Sequence, residues 1–390
     1  MSEICNGITD GSHNPPTGGD KSAFMMLSSK NIYDDKITFD EPRYLTEEQF
    51  AAEDRRTCIK AGDVLMTIVG TVGRTAVVNN DSSITLQRSV AVLHPRSDCC
   101  DSRYLMYLLR SKRSFFEAEA HGVAQKGLYL KQLSDVRVKI PAIPKQQVIV
   151  REFDKVQQII ATRQDELDML DHLIKARFVE MFGDPVTNPN GYLVQTLQQL
   201  IDSGFITYHL DGNHGGDYPR SEEFVDSGVP YIGANCIANG QIDFSMAKYL
   251  TEERAGKLRK GIARNEDVLF AHNATVGPTV VLYTELPKVI LSTSLTAYRC
   301  NQKKIKPNYL KAYMQSEGFV RQYSGEMKQT TRNQVPITAQ KRYLFLVPPL
   351  EEQERFATLV AQVDKSKEAI KKSLAETQTL FDSLMQEYFG

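Results

Sequence analysis

The chain has 390 residues, enough for two or three domains that each bury a core, and 47 Lys plus Arg against 48 Asp plus Glu leave a formal net charge of -1. Near-neutrality argues against a surface that clamps nucleic acid by bulk positive charge alone. The six cysteines, Cys5, Cys58, Cys99, Cys100, Cys236 and Cys300, form no C-x-x-C pair, which excludes a zinc ribbon and favours a reducing cytosol over a disulfide framework. Residues 1–20 carry no apolar run, and no uninterrupted apolar stretch of about eighteen residues occurs anywhere, so the expectation is a cytoplasmic protein with no membrane span.

In chain order, residues 10–16 form a loop by their Gly, Asn and Pro content. Short β-branched runs at 64–69 and 75–79, broken by Gly70 and Gly73, predict strands. An amphipathic helix fits 102–116. From Gln146 to Gly183 there is neither proline nor internal glycine, and Ile149, Phe153, Val156, Ile160, Leu167, Leu170, Ile174, Phe178 and Met181 fall in steps of three and four, with Arg163 filling one gap. That is a heptad seam on one long helix, stopped by glycine. A strand or helix is expected at 193–201 and a loop at 211–216. Strands follow at 268–270 and 279–283, then a helix at 308–323. A second long helix runs from Gln353 to Gly390, its seam being Phe356, Val360, Val363, Ile370, Leu374, Phe381, Leu384 and Tyr388, interrupted by Lys367 and Thr377.

These elements occur twice. Tyr44-Leu45-Thr46-Glu47-Glu48 returns as Tyr249-Leu250-Thr251-Glu252-Glu253, Asp63-Val64-Leu65 as Asp267-Val268-Leu269, and Thr71-Val72-Gly73 as Thr275-Val276-Gly277. Tyr104-Leu105 with Ser111 returns as Tyr309-Leu310 with Ser316, and Phe182-Gly183 as Phe389-Gly390. The chain is a tandem duplication of a domain-sized unit, too long for a solenoid repeat. Each long helix has one apolar seam and needs a cover. The two can pair antiparallel, throwing the globular parts to opposite ends about an approximate two-fold axis, or each can fold back on its own domain.

Catalytic signatures are absent. No G-x-x-x-x-G-K-[ST] loop occurs, and His13 and His214 have no second ligand at metal spacing. Asn14-Pro15-Pro16-Thr17 resembles the Asn-Pro-Pro-aromatic loop of adenine methyltransferases, but Thr17 replaces the stacking ring and no Gly-rich methyl-donor turn accompanies it. Each repeat does carry a basic stretch in its second half, at 103–139 and 301–343, which is either a solvated surface or a phosphate-binding one. Asp-Gly-x-His also recurs, so His13 and His214 are either turn caps or groups presented to a partner. The candidate DNA-binding residues are Ser12, His13, Arg74, Gln87, Arg88, Gln125 and Lys126 in the first repeat. In the second they are Asn213, His214, Asn273, Gln329, Thr330 and Arg332. Arg, Gln and Asn suit base edges, while Lys and Thr suit phosphates.

The order of parts resembles the DNA-specificity subunits of type I restriction-modification enzymes along essentially the whole chain. Their Pro-Pro-Leu-x-Glu-Gln boundary signature is matched by Pro348-Pro349-Leu350-Glu351-Glu352-Gln353 and, more loosely, by Pro141-Ala142-Ile143-Pro144-Lys145-Gln146, which lacks the acidic residues. Gly62-Asp63-Val64-Leu65 and Glu266-Asp267-Val268-Leu269 also look like the family pattern. The resemblance implies an α+β protein with two tandem mixed α/β target recognition domains, at 1–144 and 184–351. Two long helices at 145–183 and 352–390 would join them as an antiparallel coiled coil with pseudo-two-fold symmetry. It implies a non-catalytic subunit that reads a bipartite, asymmetric site on double-stranded DNA. No cofactor is expected on this chain, since S-adenosylmethionine would sit on two partner methyltransferase subunits, and restriction subunits would join them. A coiled-coil scaffold with protein-binding ends is the alternative.

One departure stands out. Twenty-seven residues separate Gly183 from Asp211, but only nine precede Asp10. Either the start is misassigned, or the first domain lacks an edge element, or a neighbour near Gly390 covers the gap.

Overall fold

A computed structural model describes residues 1–80, 83–121, 127–327 and 333–390. The chain divides into two compact units whose limits cut across the sequence repeat: Met1–Gln164 with Lys372–Gly390, and Asp165–Lys371. Each unit therefore contains the start of one long helix and the end of the other.

Both units are built on the same four-stranded antiparallel sheet. In the first the order is Cys5–Asp10, Val90–Pro95, Val64–Thr67, Thr75–Val77, and in the second it is Ile206–Asp211, Leu295–Cys300, Val268–Ala271, Thr279–Val281. The inner strands Val64–Thr67 and Val268–Ala271 are buried along their whole length, which is why they read as short apolar runs without alternation. The duplication extends to an irregularity: register shifts between Cys5 and Gly7, and again between Ile206 and Tyr208. A bulge kept at one place in two diverged copies is a feature of the design. A second sheet joins Arg43–Leu45, Phe24–Leu27 and Ile84–Leu86 in the first unit, with Phe24–Leu27 parallel to Ile84–Leu86. In the second unit, Lys248–Leu250, Val229–Ile232 and Val289–Leu291 repeat that arrangement, extended by one short strand at each edge.

The two predicted amphipathic helices are each broken in two. Ser102–Ser111 gives way at Lys112 to Arg113–Glu119, and Pro307–Gln315 gives way at Ser316 to Glu317–Met327. The repeated serine sits at the break: Ser111 Oγ donates to Leu108 O at 2.8 Å and Ser316 Oγ to Tyr313 O at 2.6 Å. Such back-bonding satisfies a terminal carbonyl locally and competes with helix continuation.

The long helices run Ile143–Phe182 and Leu350–Phe389, 40 residues each. The first starts before the expected Gln146, because Pro144 fits the first turn, where no amide hydrogen is needed. It stops at Gly183, whose φ of 74 is the left-handed cap that glycine adopts without strain. Within each unit the helix segments run antiparallel. In the first, Lys145 and Glu152 meet Tyr388 while Phe153 meets Phe381 at 5.3 Å between ring centroids. In the second, Asp171 pairs with Lys367 and Phe178 meets Phe356 at 5.7 Å. Lys367, an interruption of the seam, thus forms an ion pair across it.

Aromatic rings join these segments to the short helices Ser102–Ser111 and Pro307–Gln315. Phe389 lies 5.3 Å from Tyr104 and Phe182 lies 4.9 Å from Tyr309, so the Phe-Gly end of each repeat packs on the tyrosine of the other. Both phenylalanines are buried. This exchange rules out two helices each folded back on its own domain.

The region expected at 193–201 as a strand or a helix contains both, Leu193–Thr196 followed by Leu197–Asp202. Leu193–Thr196 pairs antiparallel with Leu344–Val347, just before the second long helix. In the first unit, no strand of that kind is present among the described residues.

Candidate nucleic-acid interface

The recurring Asp-Gly-x-His segment is one built loop found twice. The first strand of each main sheet ends on its aspartate, Asp10 or Asp211. His13 Nε2 lies 2.8 Å from Asp10 Oδ2, and His214 Nε2 lies 2.7 Å from Asp211 Oδ2. The imidazoles are 56% and 54% exposed, over carboxylates at 9% and 12%. Each aspartate fixes one ring nitrogen of a half-exposed imidazole, and the other, Nδ1, is then an acceptor when the ring is neutral and a donor when it is protonated.

The glycine is required by close approach. A Cβ on Gly11 would stand 1.9 Å from the Leu86 carbonyl oxygen, and one on Gly212 would stand 2.3 Å from the Ser292 carbonyl carbon. Main chain thus presses on main chain where the two sheets meet, and the exposed histidine follows two residues on.

In the first unit the loop collects several of the predicted residues. Ser12 is buried and bridges Gln87 in parallel, its N–H donating to Leu86 O at 2.8 Å and its carbonyl accepting from Arg88 N at 3.0 Å. His13, Gln87 and Arg88 therefore share one edge, and the Arg88 side chain is exposed. Ser12 itself is a brace. Sequence reasoning missed Arg56, whose Nε donates to Asp10 O at 2.9 Å and whose other nitrogen pairs with the Asp10 carboxylate. Arg56 is half exposed and adds a cation beside His13; nothing local in the sequence ties residue 56 to residue 10.

The second unit differs around the same loop. Asn213 is buried, its Nδ2 donating to Lys260 O at 2.7 Å and its Oδ1 accepting from Lys260 N at 3.3 Å. Its amide is thereby committed to the fold, leaving His214 as the outward group. Arg74 and Asn273 lie elsewhere. The Arg74 guanidinium stacks 5.0 Å from the centroid of Tyr33, and Asn273 bridges Gln334 as Val69 bridges Gly127. Gln125, Lys126, Gln329, Thr330 and Arg332 lie outside the described residues.

Much of the charge in the two basic stretches is internal. Arg103 bonds both Asp35 and Asp154, at 3.0 Å and 2.6 Å, and Arg113 reaches Asp34 at 2.5 Å. Lys306 pairs with Glu354 at 2.9 Å, Lys304 Nζ donates to Ser203 O at 2.6 Å, and Arg321 pairs with Glu317 at 2.5 Å. Burial pulls the Lys311 ammonium below its ordinary range. The paired cations are committed to partners within their own unit, the Arg321 pair at the surface, whereas Arg137 and Lys139 of the first stretch and Lys303 and Lys341 of the second are exposed. Among the described residues, no group of three or more His, Cys, Asp or Glu could hold a metal ion.

The model of the type I restriction modification DNA specificity domain matches residues 27–170 and again 206–378, once on each repeat. The chain belongs to this family. Specificity subunits are non-catalytic members of restriction-modification complexes and carry target recognition domains. The chain is 20% identical over 318 residues to the MjaVIII specificity subunit of Methanocaldococcus jannaschii, covering 76% of this chain and 72% of that one. It is 27% identical over 155 residues to the EcoBI specificity subunit of Escherichia coli, covering 39% and 31%. Among solved structures, the S subunit from M. genitalium superposes with a TM-score of 0.55 at 13% identity, covering 100% of this chain and 94% of that one. A chain from a study of type I restriction-modification complex assembly and conformational transition gives 0.56 at 19%, covering 99% and 95%. At such identities the superpositions speak for the fold. This protein is a DNA-specificity subunit of a type I restriction-modification system. No helix among its described residues is long and apolar enough to cross a membrane.

Proposed function

We propose that each unit reads one half of a bipartite, asymmetric DNA target, and that the long helices fix the unspecified spacer and dock two methyltransferase subunits. The observation that carries this reading is the paired Asp-Gly-x-His loop. The same carboxylate-oriented imidazole stands at the end of the same strand in both units, with different neighbours. His13 has Arg56, Gln87 and Arg88 nearby, whereas Asn213 and the Lys260 main chain stand beside His214. One frame with two sets of readers is what an asymmetric target needs.

Base reading requires outward donors and acceptors held in fixed geometry, and the aspartates supply that rigidity to His13 and His214. Arg74, Gln87, Arg88 and Asn273, with Gln125, Lys126, Gln329, Thr330 and Arg332, complete the proposed contacts; Ser12 and Asn213 support them from beneath. Each 40-residue helix is about 60 Å long, enough to separate half-sites that recur about every 34 Å along one face of DNA. The recognition regions are taken as 1–144 and 184–351, with spacer helices at 145–183 and 352–390. Methyl transfer to adenine and the binding of S-adenosylmethionine would belong to the methyltransferase partners, and cleavage to restriction subunits. With several of the described cations in the two basic stretches committed to partners inside the fold, the partner subunits would share the phosphate clamp.

The test is co-expression with the cognate modification subunit in a host without adenine methylation, followed by methyladenine mapping. One bipartite motif that disappears when this chain is omitted is the expected result. A stable complex that leaves no motif would defeat base reading and favour a coiled-coil scaffold.

A further inference from the structure

A group of core positions that is apolar in the first unit is polar in the second. His209 pairs in register with Tyr298 where Ile8 pairs with Leu93, and Thr296 pairs with Phe270 where Ala91 pairs with Met66. His272 takes the place of Ile68: its N–H donates to Ser294 O and its carbonyl accepts from Val335 N, as those of Ile68 do with Ser89 O and Leu128 N. Gln340 takes the place of Leu133, the N–H of each donating four residues back, to Pro336 O and Tyr129 O. The first set belongs to the hydrophobic core of its unit, and all the side chains of the second set are buried.

Gln340 stands at the centre of the polar set. Its Oε1 accepts from the Tyr298 hydroxyl at 2.6 Å and meets His209 Nε2 at 3.0 Å, while its Nε2 donates to Thr296 Oγ1 at 3.2 Å and to Val335 O at 3.3 Å. Both lone pairs and both hydrogens of the amide are thereby used. His272 Nδ1 donates to the same Val335 carbonyl at 3.0 Å. Ile68 and Leu133 have no polar side-chain atom to offer Leu128 O, the matching group of the first unit. The bonds converge on main chain beside the proposed readers. Val335 follows Gln334, which bridges Asn273, and Asn333 O accepts the Ala274 N–H at 3.0 Å. On the other side, His209 lies on the strand that ends at Asp211 and leads into the His214 loop, and Thr296 pairs in register with Asp211.

We propose that Gln340 and His272 are positioning residues for the second half of the DNA target. Their two bonds to Val335 O hold the Asn273–Gln334 segment in one place relative to the Asp211–His214 loop, so that both present their polar groups to a single half-site. A buried amide with every bond made accepts one geometry, and base reading tolerates displacements only on the order of 0.5 Å. The first unit carries the apolar set, so the device belongs to one half of the target only. The proposal rests on the reading of each unit as the reader of one half-site.

The test separates position from stability. The full chain is co-expressed with its modification subunit, and methylation is mapped at the motif and at sites carrying a single mismatch. Gln340→Leu removes one donor to Val335 O, and His272→Ile, which installs the residue of the first unit, removes the other. Tyr298→Phe removes a buried hydrogen bond of the same network but leaves both donors in place. Discrimination against mismatches is expected to fall about tenfold in one half-motif, the same one for Gln340→Leu and His272→Ile, the equivalent of one lost base contact. Tyr298→Phe is expected to leave both halves sharp. A role in stability alone would change the amount of active complex in all three variants and relax neither half. Relaxation of both halves, of neither, or to the same extent in Tyr298→Phe would overturn the proposal, and so would failure of both Gln340→Leu and His272→Ile to assemble with the modification subunit. Absence of any motif with the unaltered chain would instead defeat the half-site reading itself, and this proposal with it.

Discussion

The Oε1 of Gln353 accepts the backbone N–H of Lys306 at 2.9 Å. The same atom of Gln146 accepts the N–H of Asp101 at 2.8 Å. Lys306 and Asp101 are the residues just before the short helices Pro307–Gln315 and Ser102–Ser111. Each glutamine also donates to the turn that precedes its own helix, Gln353 to Pro348 O at 2.9 Å and Gln146 to Pro141 O at 2.7 Å, and Gln146 donates further to Cys99 O, before the short helix, at 2.8 Å. The glutamine that closes the boundary signature therefore joins the first turn of a long helix to the globular part beside it.

Both glutamines are fully buried, so replacing one removes the bonds of buried and half-buried main-chain groups. Gln353→Leu leaves the Lys306 N–H and the Pro348 carbonyl unpaired and is expected to cost about 2–4 kcal/mol. Gln146→Leu strands three groups and should cost more. Urea denaturation of the full chain gives both values, and a loss below about 0.5 kcal/mol, the ordinary range for surface changes, would refute the joint.

Much of the architecture is legible in the residues because duplication makes each weak signal testable against its twin. The heptad seams, the Phe-Gly stops and the Asp-Gly-x-His loops all stand in the sequence, and Phe153, Phe178, Phe356 and Phe381 are buried as the seam requires. Three things were hidden. The breaks at Lys112 and Ser316 depend on serine back-bonding that helical periodicity does not register. The role of Arg56 depends on a contact across 46 residues. The fate of the basic stretches depends on which cations find carboxylates in the fold, as Arg103 does with Asp35 and Asp154, and composition counts charges without pairing them.

The close approach at Gly11 sets a second prediction. A methyl group there meets Leu86 and Gln87 main chain, which cannot swing aside, whereas nothing lies within 4 Å of a Cβ built on Gly19. Gly11→Ala should destabilise by about 1–3 kcal/mol as an overpacking change, while Gly19→Ala stays within about 0.5 kcal/mol. Thermal unfolding of the pair tests this, and equal midpoints would show that the loop yields.

His13→Ala and His214→Ala separate stability from recognition. Both rings are more than half exposed, so each variant should fold with a change within about 0.5 kcal/mol. If the two loops read separate half-sites, each substitution weakens discrimination in one half only, by about 1–3 kcal/mol per lost base contact. Methyladenine mapping with the modification subunit would register relaxed sequence at one half-motif in each variant. Relaxation of both halves by either change, or of neither, would deny the loops separate reading roles.

The last prediction concerns a polar group buried in one unit only. His209 pairs in register with Tyr298, and the matching pair in the first unit is Ile8 with Leu93. His209 Nε2 meets Gln340 Oε1 at 3.0 Å, and the Tyr298 hydroxyl donates to that same oxygen at 2.6 Å. Burial lowers the His209 pKa from 6.5 to about 4 despite the bond to Gln340, and burial lowers His272 as well. A folded pKa below the unfolded one means that the unfolded chain takes up the proton first. The stability held with His209 neutral is therefore complete above pH 6.5, declines as the pH falls below it, and is lost as the pH passes through about 4. At pH 5 the loss from this group should be about 2 kcal/mol. His209→Ile restores the residue type of the first unit and leaves Gln340 its bond from Tyr298. The variant should lose less stability than the parent between pH 7 and pH 5, measured by urea denaturation at each pH. An equal loss in both proteins would mean that His209 is not the buried group that takes up the proton.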